Sequence, residues 1–225
     1  MKIALIGITG RVGSRVADEL LKRGHQVTGI ARNLGDVNPQ PGLTIEQGDA
    51  TDPHGLTPLL KGHDAVVSAS RFVSADAKPL LAAVKDAGVP RLLVVGGAGS
   101  LEVAPGKLLI DTPEFPDAYK PEARGGVVFL DALRQEKVLN WTFLSPSALF
   151  EPGERTGKFR LGDDTLLVDE AGKSWISMED YAIALALSLI HIFYICHSEY
   201  EQRFAGQLRL RHQLERETGT LLHRH

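Results

Sequence analysis

The residues best suited to chemistry stand near the start of the chain. Gly7, Gly10 and Gly13 recur at three-residue spacing in Gly-Ile-Thr-Gly-Arg-Val-Gly, between an apolar run at 2–7 and an amphipathic stretch at 12–23. Glycine allows a tight turn and a close approach of backbone to ligand, and a helix starting there offers free N–H groups to an anion. The chemistry implied is the cradling of a dinucleotide pyrophosphate. Glycines alone would say little, but a strand before and a helix after form the context this motif requires. Arg32 lies 22 residues past Gly10, at the end of the second apolar run. A carboxylate there would accept from a ribose 2′-hydroxyl; Ile30, Ala31, Arg32 and Asn33 offer none, whereas a guanidinium suits a 2′-phosphate. The expected cofactor is therefore NADP ahead of NAD, with Arg11 adding a second positive charge. The plainer alternative is a structural turn beside a solvated surface arginine.

Other chemistries fail on spacing. Gly153 to Lys158 has three residues between its glycines, where a P-loop needs four, and neither His-Glu-x-x-His nor Gly-x-Ser-x-Gly occurs. A single cysteine, Cys196, excludes an internal disulfide and a cysteine-based zinc cage. His191, His197, His212, His223 and His225 lack an evident scaffold, so no metal is expected. With 25 basic against 28 acidic residues, no electrostatic drive toward nucleic acid or anionic lipid is evident. The 15-residue apolar stretch at 182–196 is too short to span a bilayer. The N-terminus reads directly into a strand without a signal-peptide pattern, so the expected setting is cytoplasmic.

The elements that must position these residues follow a clear rhythm. Apolar, β-branched runs at 2–7, 26–32, 43–49, 64–70 and 91–97 alternate with helical patterns at 12–23, 56–60 and 75–87. Strands apolar at nearly every position, separated by helices, indicate an α/β fold: a doubly wound parallel sheet of Rossmann type. Beyond that, 101–116 holds three prolines and reads as a loop, 125–137 as a helix, and 140–146 as a sixth strand. Residues 159–170 alternate around Gly-Asp-Asp and read as a hairpin. Ser177 is suited to cap a helix, with Glu179 and Asp180 in its first turn.

Taken together these segments resemble an atypical short-chain dehydrogenase/reductase of the NAD(P)H-binding group that includes NmrA-like proteins, biliverdin reductase B-like proteins and NADH-flavin reductases. The resemblance rests on the glycine loop, Arg32-Asn33, Gly48 to Asp52, the Val-Val-Ser-Ala-Ser run ending at Ser70, and residues 94–106, 111–116, 141–157 and 176–182. It implies that Gly7, Thr9, Gly10, Arg11, Val12 and Gly13 hold the pyrophosphate and Arg32 the 2′-phosphate. It implies that Asp49 and Ala50 border the adenine, that Ser68 and Ala69 line the ribose side, and that Gly97, Ser145 and Pro146 flank the nicotinamide. Asp49 read alone is equally a turn residue capping the next helix. The group's usual Tyr-x-x-x-Lys is missing: Ala123, Leu185, Ser198 and Phe204 stand four residues after the four tyrosines. Ser100 and Tyr119 are the catalytic candidates that remain.

Two functions compete. One is an NADPH-dependent reductase of a flavin, quinone or similar planar small molecule, which takes hydride directly and needs orientation more than a protein acid. The other is a non-catalytic NADP(H) sensor of the NmrA-like kind. A compromised fold that binds cofactor poorly is the bland third reading. The domain is expected to span 1–187. The last 35 residues hold five of the eight histidines and neither lysine, aspartate, valine nor proline, so 188–225 reads as an atypical tail. Its β-prone run at 190–195 invites pairing between copies of the chain, hence a homo-oligomer.

Overall fold

Strand β1 (Lys2–Ile6) is buried from Ile3 onward, and its side chains divide between two faces. Ala4 and Ile6 enter one apolar layer, Ile3 and Leu5 the other. That two-sided burial makes the strand read as a continuous apolar run. In the computed structural model, which describes residues 1–35, 37–74 and 76–189, the chain continues through α1 (Arg11–Lys22), β2 (Gln26–Ala31), β3 (Leu43–Gln47), α2 (Pro53–Leu60), β4 (Ala65–Ser68), α3 (Ala77–Asp86) and β5 (Arg91–Val95). Then follow β6 (Glu102–Ala104), β7 (Lys107–Leu108), α4 (Lys120–Gln135), β8 (Asn140–Leu144), β9 (Leu149–Glu151), β10 (Trp175–Ser177) and α5 (Met178–Ser188).

The central sheet has six strands in the order β3-β2-β1-β4-β5-β8, all parallel. This is the doubly wound arrangement, with β8 as the sixth strand. Leu56, Leu60, Leu80, Val84, Phe129 and Leu133 from α2, α3 and α4 cover one face; Val16, Leu20, Tyr181 and Leu185 from α1 and α5 cover the other. Each fully buried leucine contributes roughly 1.5–3 kcal/mol relative to exposure. The chain order reverses between β1 and β4, where open sheets of this kind hold ligands at the carboxyl ends of their strands.

Helix starts follow their capping chemistry. Ser177 Oγ accepts from the Asp180 N–H at the head of α5, as read from the sequence, whereas α2 is capped by Asp52, which accepts from the His54 N–H, and not by Asp49. Helix α4 begins at Lys120, five residues before the glycine where its pattern first reads as helical, because Pro121 suits a first turn.

Residues 159–170 do not form a hairpin. Instead Thr165 makes one parallel bridge with Glu102: the Glu102 N–H donates to Asp164 O at 2.7 Å and the Leu166 N–H to Glu102 O at 2.8 Å. The alternating Phe159 and Leu161 pack on the α1/α5 layer rather than stabilising an isolated pair of strands, which is marginal by itself. Within 101–116, β6 and β7 form a small antiparallel hairpin around Gly106, whose φ is +72°. The parallel pair β9–β10 has no counterpart in the sequence reading. The oligomerisation expected of residues 190–195 lies outside the described residues.

Candidate functional site

The glycine loop is shaped by close backbone contacts. Gly7 has φ +84°, and a Cβ there would lie 2.8 Å from Ala69 O, so the turns after β1 and β4 touch. A Cβ on Gly13 would fall 2.1 Å from Gly7 O. Gly10 is different: its N–H donates to Gly7 O at 3.0 Å, it is exposed, and its added Cβ would meet only Gly7 O at 3.2 Å. Gly10 is the N-cap of α1 and supplies no side-chain acceptor, and the first turn carries no acidic residue. The N–H groups of Arg11, Val12 and Gly13 are thus left to an external anion. Thr9 and Arg11 are exposed beside them. These features fit a dinucleotide pyrophosphate.

The other residues read from the sequence, Tyr119 excepted, also follow the carboxyl ends of the parallel strands. Arg32, exposed after β2, has its carbonyl held by Gln47 Nε2 at 2.9 Å. Asp49, after β3, accepts from the Thr51 N–H at 2.9 Å and Thr51 Oγ1 at 2.8 Å. Those two bonds, with the Arg32 charge acting in the same direction, hold its carboxyl below the ordinary value. Asp49 therefore shapes a turn, while Asp52 is the helix cap. Ala50 is buried beneath that turn. Ser68 is buried at the end of β4, and the Ala69 N–H donates to Ile6 O at 2.9 Å.

After β5 and β8 the geometry changes character. Leu144 O accepts from the Gly96 N–H at 2.8 Å and from the Tyr181 hydroxyl at 2.6 Å, tying both strand ends to α5. Burial pushes the Tyr181 hydroxyl far above its usual pKa. Ser100, buried, donates to Gly97 O at 3.0 Å and lies 3.4 Å from Ser145 Oγ. Both serines line a cleft with Pro146, Phe159, Leu161 and Asp164, roofed by the 159–167 segment. Tyr119 stands before α4, 66% exposed, outside that lining.

Several site-shaping residues escaped the sequence reading. Phe72, after β4, stacks on Phe143 at 5.8 Å and tilts against Phe129 at 5.3 Å. Glu122 on α4 accepts from the N–H groups of Phe72 and Val73. Two adjacent glycines inside a helix, Gly125 and Gly126, were the available signal. Each costs about 1 kcal/mol in helix propensity, and each is needed because a Cβ would lie 2.9–3.1 Å from Phe72.

The 153–157 segment that leads into the cleft wall is fastened by acidic groups. Buried Asp180 accepts from Thr156 Oγ1 at 2.5 Å and the Gly157 N–H at 2.8 Å. Glu179 accepts from Arg15 Nε and the Gly153 N–H. Burial alone would raise the Glu179 carboxyl, yet Arg15 and Gly153 outweigh it and leave it below its ordinary value. Buried Glu19 pairs with both Arg23 and Arg155. Among the described residues no group of three or more His, Cys, Asp or Glu is placed to hold a metal ion, and no helix is long and apolar enough to cross a membrane.

A family model for NAD(P)H-binding proteins matches residues 7–189. The chain belongs to this family. The YwnB protein of Bacillus subtilis is 43% identical over 202 residues, covering 85% of this chain and 93% of that one. Among solved structures, a candidate exported protein from Burkholderia pseudomallei is 47% identical, with a TM-score of 0.77 over 84% of this chain and 93% of the other. A candidate NADH-flavin reductase from Streptococcus pneumoniae is 36% identical, with a TM-score of 0.72 over 88% and 95%. The resemblance to the atypical short-chain dehydrogenase/reductase group, with its flavin reductase-like members, thus holds across the described domain.

Proposed function

We propose that this NAD(P)H-binding protein is an NADPH-dependent reductase of a planar small molecule such as a flavin or quinone. The observation that carries the reading is the uncapped α1 N-terminus behind the glycine loop, in a chain whose cleft at the ends of β5 and β8 offers, among the described residues, no tyrosine with a free hydroxyl. Tyr181 borders it, but its buried hydroxyl already donates to Leu144 O. When bound, the cofactor would supply hydride to the acceptor, ending as N–H in a reduced flavin or O–H in a hydroquinone, with the balancing proton taken from water. The chain's part is to bind and orient. The α1 N-terminus takes the pyrophosphate, Arg32 the 2′-phosphate, and the 159–167 roof excludes bulk water from the face where the acceptor stacks. The similarity to a candidate NADH-flavin reductase supports the flavin class. A cytoplasmic setting belongs to this reading because it assumes a cytosolic NADPH supply.

The test is NADPH oxidation with riboflavin and menadione as separate acceptors, alongside titrations of NADPH and NADH. Turnover with either acceptor and tighter NADPH binding are expected. Tight NADPH binding with neither acceptor turned over would replace the reductase by a sensor.

A further inference from the structure

We infer that Phe72 is a positioning residue for the nicotinamide half of the dinucleotide: its ring sets the turns after β4 and β5, which that half has to cross. The inference rests on the reading that the α1 N-terminus takes the pyrophosphate, and it extends that reading across the sheet.

The two halves of a dinucleotide leave the pyrophosphate in opposite directions. Strand β2, with Arg32 after it, lies on one side of β1; on the other side the order runs β4, then β5. The turns after β1, β4 and β5 touch in a row. A Cβ on Gly7 would lie 2.8 Å from Ala69 O and 3.3 Å from the Ser70 nitrogen. Two residues further, the Phe72 ring lies 3.8 Å from where a Cβ on Gly97 would stand. A Cβ on Gly96 would fall 2.6 Å from the Phe143 ring, and that ring stacks on Phe72 with centroids 5.8 Å apart. One pair of rings therefore supports the backbone after β4 and after β5 together. Helix α4 is fitted to the same ring: Gly125 and Gly126 leave room for it, and Phe129 tilts against it at 5.3 Å. Glu122 takes the Phe72 N–H at 2.8 Å and the Val73 N–H at 3.2 Å. The turn is thus held twice, by ring packing and by hydrogen bonds to a charged acceptor. Ala69 and Gly97 offer a ligand little but backbone, so their placement decides the fit, and Phe72 sets that placement.

Binding alone reads the effect, by calorimetric titration of NADP+ against 2′,5′-ADP and of NAD+ against ADP. In each pair the shorter ligand lacks the nicotinamide riboside, so the preference for the dinucleotide is independent of any preference for a 2′-phosphate. Phe72→Ala is expected to shrink that preference about five- to tenfold, because a surface that was preorganised must now be ordered on binding. Glu122→Ala leaves the rings in place, frees two N–H groups and should shrink it about threefold. A role in stability alone lowers the folded fraction, which scales both ligands alike and leaves the preference unmoved; thermal melting is measured alongside. An unmoved preference in Phe72→Ala would overturn the inference, and should that variant not fold, an unmoved preference in Glu122→Ala would do so. Dinucleotides that bind the unmutated protein no more tightly than the shorter ligands would overturn it as well, with the reading of the α1 N-terminus intact. Failure of ADP and 2′,5′-ADP to bind at all would remove that reading, and the inference with it.

Discussion

The two halves of the site are built by different means. On the side of β1, β2 and β4, backbone conformation does the work: Gly7 and Gly13 allow contacts that any side chain would block, and the free α1 N-terminus follows from Gly10 at the cap. On the side of β5 and β8, side chains distant in sequence do it. Tyr181 holds Leu144, Asp180 holds Thr156 and Gly157, and Glu122 holds Phe72. The half around the glycine loop is thus set mainly by backbone contacts, whereas the half around β5 and β8 is assembled by side-chain bonds between segments distant in sequence. A family can keep one cofactor and change its acceptor on such a plan.

Substitutions should separate the halves, and the largest effect is expected at Gly13. Its added Cβ would fall 2.1 Å from Gly7 O and 2.8 Å from Gly7 C, both backbone atoms that cannot turn aside. Gly13→Val should destabilise the protein by about 1–3 kcal/mol or more and displace the loop. Thermal melting and an NADPH titration measure both. Gly10→Ala, with one contact at 3.2 Å, should leave melting nearly unchanged, and a Gly13→Val protein with native melting and affinity would refute the local account of this half.

Arg32→Glu comes next. Loss of a charged hydrogen-bond partner is worth roughly 1.5–3 kcal/mol, so NADPH should weaken at least about tenfold while NADH is spared. Equal affinities for NADPH and NADH in the unmutated protein would remove the basis for this expectation.

Asp180→Ala tests the other half. It removes a buried acceptor of two hydrogen bonds, one from a hydroxyl and one from a backbone N–H, for a loss of about 1–3 kcal/mol. KM for the acceptor should rise as the 153–157 segment loosens, and the NADPH Kd should hold. Parallel losses in both constants would show that the halves are coupled.

This division also explains what could be read in advance. Two-sided burial turns parallel strands into unbroken apolar runs, so 2–7 and 91–97 announced the sheet; the glycine turn between β1 and α1 was legible because its meaning lies in spacing along the chain. Residues 159–170 misled because alternation signals one covered face without saying what covers it. The cover proved to be the α1/α5 layer for Phe159 and Leu161, not a partner strand. Phe72 was invisible for the same reason: its environment comes from α4 and β8, about 50 to 70 residues away by position in the chain. Tyr181 was hidden inside a helix pattern that shows burial but not the carbonyl its hydroxyl meets.

The smallest effect is expected at Tyr119. It was a catalytic candidate because it follows the proline-rich segment and carries an ionisable hydroxyl. In the fold it heads α4 with two-thirds of its surface in solvent, and the cleft is lined without it. General acid catalysis typically contributes 10²–10⁴-fold, so a tyrosine in that role would leave a large deficit in kcat when its hydroxyl is removed. Tyr119→Phe should instead retain most of the rate with riboflavin, at unchanged NADPH affinity, because water can deliver the proton to reduced flavin. Steady-state kinetics with the NADPH Kd measured in parallel decide the matter. A hundredfold fall in kcat with the Kd unmoved would mean that the acceptor half closes over Tyr119 during turnover, and the acid-free mechanism would fall with it.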